Sequence, residues 1–364
     1  MFAKKLGISV YIGKRPIEED LKYIDLAKKY GFSRIFSCFM FMDEDSDTFL
    51  AKFKTIVSHA KKQGFEIFVD VNLNLIKMLG ASYDNLKPFE DLGITGIRLD
   101  EGYSGLEESL ISCAGKLQVE INASNGTKIF DNIMSYQPCA SNIVACHNFY
   151  PREFTGLSLE HFMKSSQEVK KHGIKLAAFV CSQEKDTFFS QNFMESLPTL
   201  EHHRYLPITI QAKELFYCGL IDDVIVSNCY ASESELKALS ELNKDIITLD
   251  VKLTQGASVL DKEMLGDNLH MNRGDVSEFM IRSTQMRVKY KNESILPFNT
   301  ADMQLGDITI DNNNYDKYKG EVHIALKNMP NRGNVNVVGK VMEYDRPLLK
   351  YIKAWSKFRL NIIG

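Results

Sequence analysis

Over its first 245 residues the chain alternates a short apolar strand with an amphipathic helix eight times, and this rhythm constrains the fold more than any other feature. Strand patterns fall at about 5–12, 33–39, 65–72, 94–100, 117–123, 142–148, 174–181 and 222–228. The helix patterns between them carry ordinary punctuation. Pro16 opens "PIEEDLKYIDLAKKYG" and Gly31 closes it, while Gly64 closes "DTFLAKFKTIVSHAKKQG". Eight such units match the size of a (β/α)8 barrel. A doubly wound open sheet would be favoured by GxGxxG after the first strand, but the chain reads "YIGKRP" there. The expected fold is therefore an α/β TIM barrel over residues 1–246.

The grammar then changes. "IITLDVKLTQG", "EFMIRSTQMRVKY", "GDITIDN", "GEVHIALKN" and "NVNVVGKVMEY" alternate polar and apolar residues between Gly- and Asn-rich turns. One helix pattern, "RPLLKYIKAWSKF", comes near the end. Residues 247–364 thus read as a smaller, mostly β domain, either a small closed barrel or a sandwich.

Composition excludes several classes. A net charge of −3 with no basic run leaves no electrostatic footprint for nucleic acid. No apolar stretch approaches the roughly 20 residues of a membrane span, and "MFAKKLGISVYIG" lacks a signal peptide's long apolar region. The seven cysteines are odd in number and scattered without a CxxC, so they read as reduced, buried thiols. The expectation is a cytoplasmic protein; a homodimer is left open.

In such a barrel, the active site lies at the C-terminal ends of the strands, where alternate residues point inward. The third strand ends "VDVN", placing Asp70 and Asn72 on one face. The fourth ends "IRLD", with Arg98 and Asp100 against Ile97 and Leu99, and the fifth reads "VEIN", with Glu120 and Asn122. "CHNFYPR" brings His147, Asn148, Tyr150 and Arg152 to the rim, and Asn228 ends the eighth strand. So many buried charges are costly unless paired or functional. The bland alternative is a polar plug in which Arg98 bridges Asp70 and Asp100. Glu101 has the opposite parity and reads as a loop carboxylate.

Weaker candidates lie elsewhere. Cys146 and His147 are adjacent on a strand and so face opposite ways, which argues against a nucleophile–base dyad. "EHHR" falls in the long connection after the seventh strand, where such barrels often bind phosphate, making Arg204 a candidate. Arg273 and Arg282 in the second domain are the others, on the expectation that this domain lends an arginine to an anionic substrate. No cofactor or metal is expected. With no HExxH, a metal would need Asp70, Asp100, Glu120 and His147 together.

Inward carboxylates beside Arg, Asn and Tyr suit glycoside hydrolysis, which needs one carboxylic acid for the leaving oxygen and a second carboxylate as nucleophile, base or stabiliser. Glu120 is assigned the acid/base role, Asp100 that of nucleophile or stabiliser, and Asp70 is the reserve. The segments "GIRLDEG", "VEINAS", "CHNFYPRE", "LPTLEHHR", "NRGDVSEFMIRSTQ", "GDITIDN" and "VNVVGKV" resemble the bacterial 6-phospho-N-acetylmuramidases, a family formerly labelled "outer surface protein". The resemblance spans essentially the whole chain. It implies a glycosidase-type barrel followed by a cyclophilin-like β domain. It also implies a cytoplasmic enzyme of peptidoglycan recycling that cleaves the β-1,4 bond of N-acetylmuramic acid 6-phosphate–N-acetylglucosamine. Two alternatives remain open: a metal-dependent sugar-phosphate isomerase, epimerase or aldolase on the same barrel, and a non-enzymatic carbohydrate-binding protein.

Overall fold

Eight parallel strands close into a barrel, each paired with its sequence neighbours and β8 with β1. In this computed structural model, which describes residues 2–38, 46–71, 76, 79–82, 85–100, 102–191, 194–266 and 268–364, the strands are β1 (Lys5–Ser9), β2 (Arg34–Cys38), β3 (Glu66–Val71), β4 (Gly96–Leu99), β5 (Gln118–Asn122), β6 (Ile143–Cys146), β7 (Lys175–Val180) and β8 (Asp223–Val226). Among the described residues a helix follows each strand: α1 (Ile17–Lys29), α2 (Ser46–Lys62), α3 (Lys87–Leu92), α4 (Leu106–Cys113), α5 (Ile129–Ser135), α6 (Leu159–Lys171), α7 (Ile208–Tyr217) and α8 (Glu233–Ser240). All eight expected strands are present, and the barrel is TIM-like.

The interior is polar as well as apolar. Arg34, at the head of β2, is 1% exposed. It donates to Asp223 at 2.7 Å and to Glu120, and its guanidinium lies 4.2 Å from the centre of the Phe68 ring. Lys175 reaches Asp223 at 2.7 Å. Two positive and two negative groups thus compensate one another in the barrel's depth, the arrangement that a buried charge requires. Gly96 makes room for it. A Cβ there would stand 2.7 Å from the Phe68 ring and 2.6 Å from the Gln118 carbonyl oxygen. Above this layer Phe36, Phe149 and Phe179 pack edge to face with centroids 5.1–6.0 Å apart, a geometry that aromatic quadrupoles favour.

The chain divides into two compact units, Met1–Leu242 and Asn243–Gly364. The second carries β9 (Ile247–Leu253), α9 (Val259–Gly266), β10 (His270–Met271), β11 (Met280–Ser283), α10 (Gln285–Lys289), β12 (Asp307–Asp311), β13 (Val322–Ala325), β14 (Val335–Val341) and β15 (Lys357–Ile362). Its strands join one seven-stranded sheet in the order β10-β15-β9-β14-β12-β13-β11, rather than two packed sheets. The helix expected over 346–358 is corrected. A 3-10 segment spans Glu343–Tyr351 with Pro347 inside it, and the chain then extends into β15, parallel to β9. Proline lacks the N–H that an α-helix would use, and "KFRLNI" buries Phe358 and Leu360 in strand alternation. The helices α9 and α10 were also not expected.

Candidate active site

Strand register sets the site. Asp70 on β3 pairs with Arg98 on β4, and Arg98 with Glu120 on β5, so these inward residues are neighbours across the sheet. Arg98 is buried and its Nη1 lies 2.9 Å from Asp100 Oδ1 and 3.1 Å from Asp70 Oδ1. Its Nη2 donates to the Asn148 side-chain oxygen. One guanidinium therefore holds two carboxylates and an amide at the mouth, the bridging geometry anticipated as the plug alternative.

The two carboxylates differ in environment. The Asp100 side chain is 42% exposed and that of Asp70 only 7%. Burial pushes the Asp70 carboxyl up to about 6; Arg98 opposes this, while Asp100 and Glu120 add to it. The Tyr150 hydroxyl stands close enough to feel Arg98 and Asp100, and burial raises it above its ordinary value. Asn122 accepts from the Ser124 N–H at 2.8 Å. With Asp100 it lines a cleft of about 250 Å³ bordered by Tyr103, Asn125, Lys128 and Asn132. Arg152 lies on the loop after β6 with an exposed side chain and no carboxylate partner among the described residues. Asp70, Arg98, Asp100, Asn122, Asn148 and Tyr150 thus form one constellation. Asn72 and Glu101 lie outside the described residues.

Four expected site residues are placed differently. Glu120, expected at the mouth, is fully buried below it and bonded to Arg34. His147 turns outward: its Nε2 lies 2.8 Å from Ser166 Oγ on α6, and its ring packs on Phe162. Burial holds it at about 3, neutral at any ordinary pH. Asn228 is buried and pairs with the Ser182 backbone through both ends of its amide, at 2.8 and 3.0 Å. Arg204 is 2% exposed and spends every donor internally. It grips Glu201 with Nε and Nη2, and it bonds the carbonyls of Tyr150, Glu195 and Arg152. Those bonds hold the Glu201 carboxylate at about 2. Arg204 is a clamp for the loops after β6 and β7, with no donor left for a phosphate.

The four-residue metal set considered from sequence is not assembled, because His147 and Glu120 point elsewhere. The grouping among the described residues that could hold a cation is His202, His203 and Glu214, with both Nε2 atoms on one carboxylate oxygen at 2.7 and 2.9 Å. As they stand, these are hydrogen bonds that satisfy a buried glutamate.

In the second unit, Arg282 bonds Glu321 through Nε at 3.0 Å and Nη2 at 2.9 Å, and Arg273 grips Asp275 at 2.6 and 2.7 Å. Both arginines expected to meet phosphate are already matched by carboxylates. Arg282 and Glu321 line a cavity of about 530 Å³ with Thr309, Asp311, His323 and Tyr315. Burial opposes the Glu321 charge, but His323 and Arg282 prevail and hold it at about 2. Burial raises Asp311 to about 6.

Sequence reasoning missed Arg34 and Asp223, although both occupy inward positions at their strand heads; their parity was the available signal. It also missed the aromatic layer, whose members Phe36 and Phe179 follow the same alternation.

The comparisons agree with this architecture. A crystal structure of an uncharacterized B. cereus protein is 40% identical, with 99% of each chain covered and a TM-score of 0.92. A conserved protein of unknown function from Enterococcus faecalis is 28% identical over 99% of this chain and 97% of that one, with a TM-score of 0.71. No curated protein matches. The family model for the N-terminal part of 6-phospho-N-acetylmuramidase matches residues 6–241, and that for its C-terminal part residues 247–361. The chain belongs to the 6-phospho-N-acetylmuramidase family.

Proposed function

We propose that this protein is a glycoside hydrolase that cleaves the β-1,4 bond of N-acetylmuramic acid 6-phosphate–N-acetylglucosamine in cytoplasmic peptidoglycan recycling. The observation that carries the reading is the pair Asp70 and Asp100 on a single Arg98 nitrogen at the barrel mouth. Asp70 is buried and Asp100 is open to solvent, the kind of difference that divides acid from base in such a pair. Asp70, raised to about 6, holds a proton in the mildly acidic range where an ordinary aspartate has lost it, and gives it to the leaving oxygen. Asp100, exposed and paired to Arg98, faces the anomeric centre as nucleophile, or orients the substrate's 2-acetamido group for that task. Both oxygens lie about 3 Å from one nitrogen, so they stand within about 6 Å of each other, which favours the close spacing of a retaining pair. Asn122, Asn148 and Tyr150 supply hydrogen bonds for sugar hydroxyls.

The test is mass spectrometry of the products from the phosphorylated disaccharide. Wild type is expected to release two monosaccharides with one water added across the bond. Asp70→Asn and Asp100→Asn should each lower kcat/KM by about 10²–10⁴-fold. Near-normal turnover by both variants would overturn the assignment. Absence of cleavage by the wild-type chain would overturn the reaction itself.

A further inference from the structure

The sequence suggests seven reduced and buried thiols, but two are neither buried nor apart. Cys113 ends α4, Cys139 precedes the short turn into β6, and both are exposed. Their sulfurs lie 2.7 Å apart. The approach is fixed by bonds besides the sulfur–sulfur contact. The Cys139 N–H donates to Ser112 Oγ at 3.0 Å and to Cys113 Sγ at 3.1 Å. The Asn142 amide donates to the Ser112 carbonyl at 2.8 Å, and Ser109 Oγ to the Tyr136 carbonyl at 3.0 Å. Two segments 26 residues apart are thereby locked side by side with their thiols facing. The other five cysteines lack this combination: Cys146, Cys181 and Cys229 are buried, and Cys38 and Cys218 are partly covered.

The pair is also asymmetric. The Cys139 thiol, the Ser112 hydroxyl and the Cys139 N–H stabilise a thiolate at Cys113 and hold it below the usual thiol range, while Cys139 is raised by its neighbour. A nucleophilic thiol beside a resolving thiol is the arrangement on which thiol–disulfide exchange depends.

We propose that Cys113 and Cys139 are a redox modification site, a dithiol that low-molecular-weight disulfides convert to an intramolecular disulfide. The Cys113 thiolate attacks one sulfur of the small disulfide, forms a mixed disulfide and expels one thiolate. That thiolate takes the Cys139 proton. Cys139 then attacks Cys113 Sγ and displaces the second small thiolate, which takes up the proton Cys113 had given to solvent. Two protein thiols are oxidised by two electrons and one disulfide is reduced to two thiols, so the exchange balances. The new bond closes a loop containing β5, α5 and the Asn122 and Asn125 wall of the Asp100 cleft.

The test exposes the reduced full-length chain to oxidised glutathione, quenches with an alkylating agent and reads intact mass and peptide cross-links. Wild type should end lighter by two hydrogens, with two fewer alkylatable thiols and a 113–139 cross-link. Cys139→Ser should stop at a glutathione adduct on Cys113. Cys113→Ser should form its adduct on Cys139 about tenfold or more slowly, because the better thiolate is gone. Both serines replace exposed groups, and far-UV circular dichroism checks that each variant is folded. A wild-type chain that stays fully reduced, keeps a lasting adduct or cross-links other cysteines would overturn the proposal. So would equal adduct rates in the two variants.

Discussion

Asp70 and Glu120 are both inward carboxylates next to an arginine, yet their surroundings give them opposite work. Glu120 compensates Arg34 where no solvent reaches. Glu120→Gln leaves the depth of the barrel with one uncompensated positive charge. It is expected to cost about 3–5 kcal/mol of stability in denaturant unfolding. Asp70 works the other way. Its folded pKa of about 6 exceeds that of an unfolded aspartate, so the folded chain holds this proton more tightly. Its contribution to stability therefore falls as pH rises from about 4 to about 6, by about 3 kcal/mol. Asp70→Asn removes that slope. Unfolding free energies measured across this window should show the variant gaining on wild type as pH rises, and keeping the gain above pH 6 while turnover is lost. A wild-type and variant difference that is flat with pH would show that Asp70 is not held protonated.

At the scale of elements, the period of two made the strands and their inward faces legible in the sequence, because side-chain direction in a strand is fixed by the backbone. That is why Asp70, Arg98, Asp100, Asn122 and Asn148 were found together. Depth was not legible. Barrel stagger brings the head of β2 level with the middle of β5, so Arg34 meets Glu120 although their strands are not neighbours. His147 was misjudged for another reason: the alternation continues one residue past β6 and sends its side chain against α6, while Asn148 returns inward. Arg204 looked available because loop arginines usually are, and only the three-dimensional path of two loops shows five donors already spent. Gly96 tests the packing of β4 on β3 and β5. Gly96→Ala places a methyl 2.6 Å from a carbonyl oxygen that the sheet holds in place. Overpacking of this kind costs about 1–3 kcal/mol, and it should appear as a lower denaturation midpoint with an unchanged slope.

For the molecule as a whole, the question is where the 6-phosphate of the proposed substrate would be recognised. The net charge of −3 makes no general attraction, so recognition must come from individual cations. In the second unit Arg273 is closed on Asp275, and Arg282 on Glu321, which also draws Arg287 to 3.4 Å. A phosphate would have to displace carboxylates that already satisfy these donors, and it would gain little over them. On the barrel, Arg152 lies on the loop that also carries Asn148, and its side chain is exposed. A charged hydrogen bond to phosphate contributes about 1.5–3 kcal/mol, or about 10–150-fold. Arg152→Gln should therefore lower kcat/KM on the phosphorylated disaccharide by that factor and leave the unphosphorylated one unchanged. Arg282→Gln should move both substrates together or neither, since its partner is Glu321. If instead Arg152→Gln retains the preference for the phosphorylated disaccharide, Arg152 does not read the phosphate.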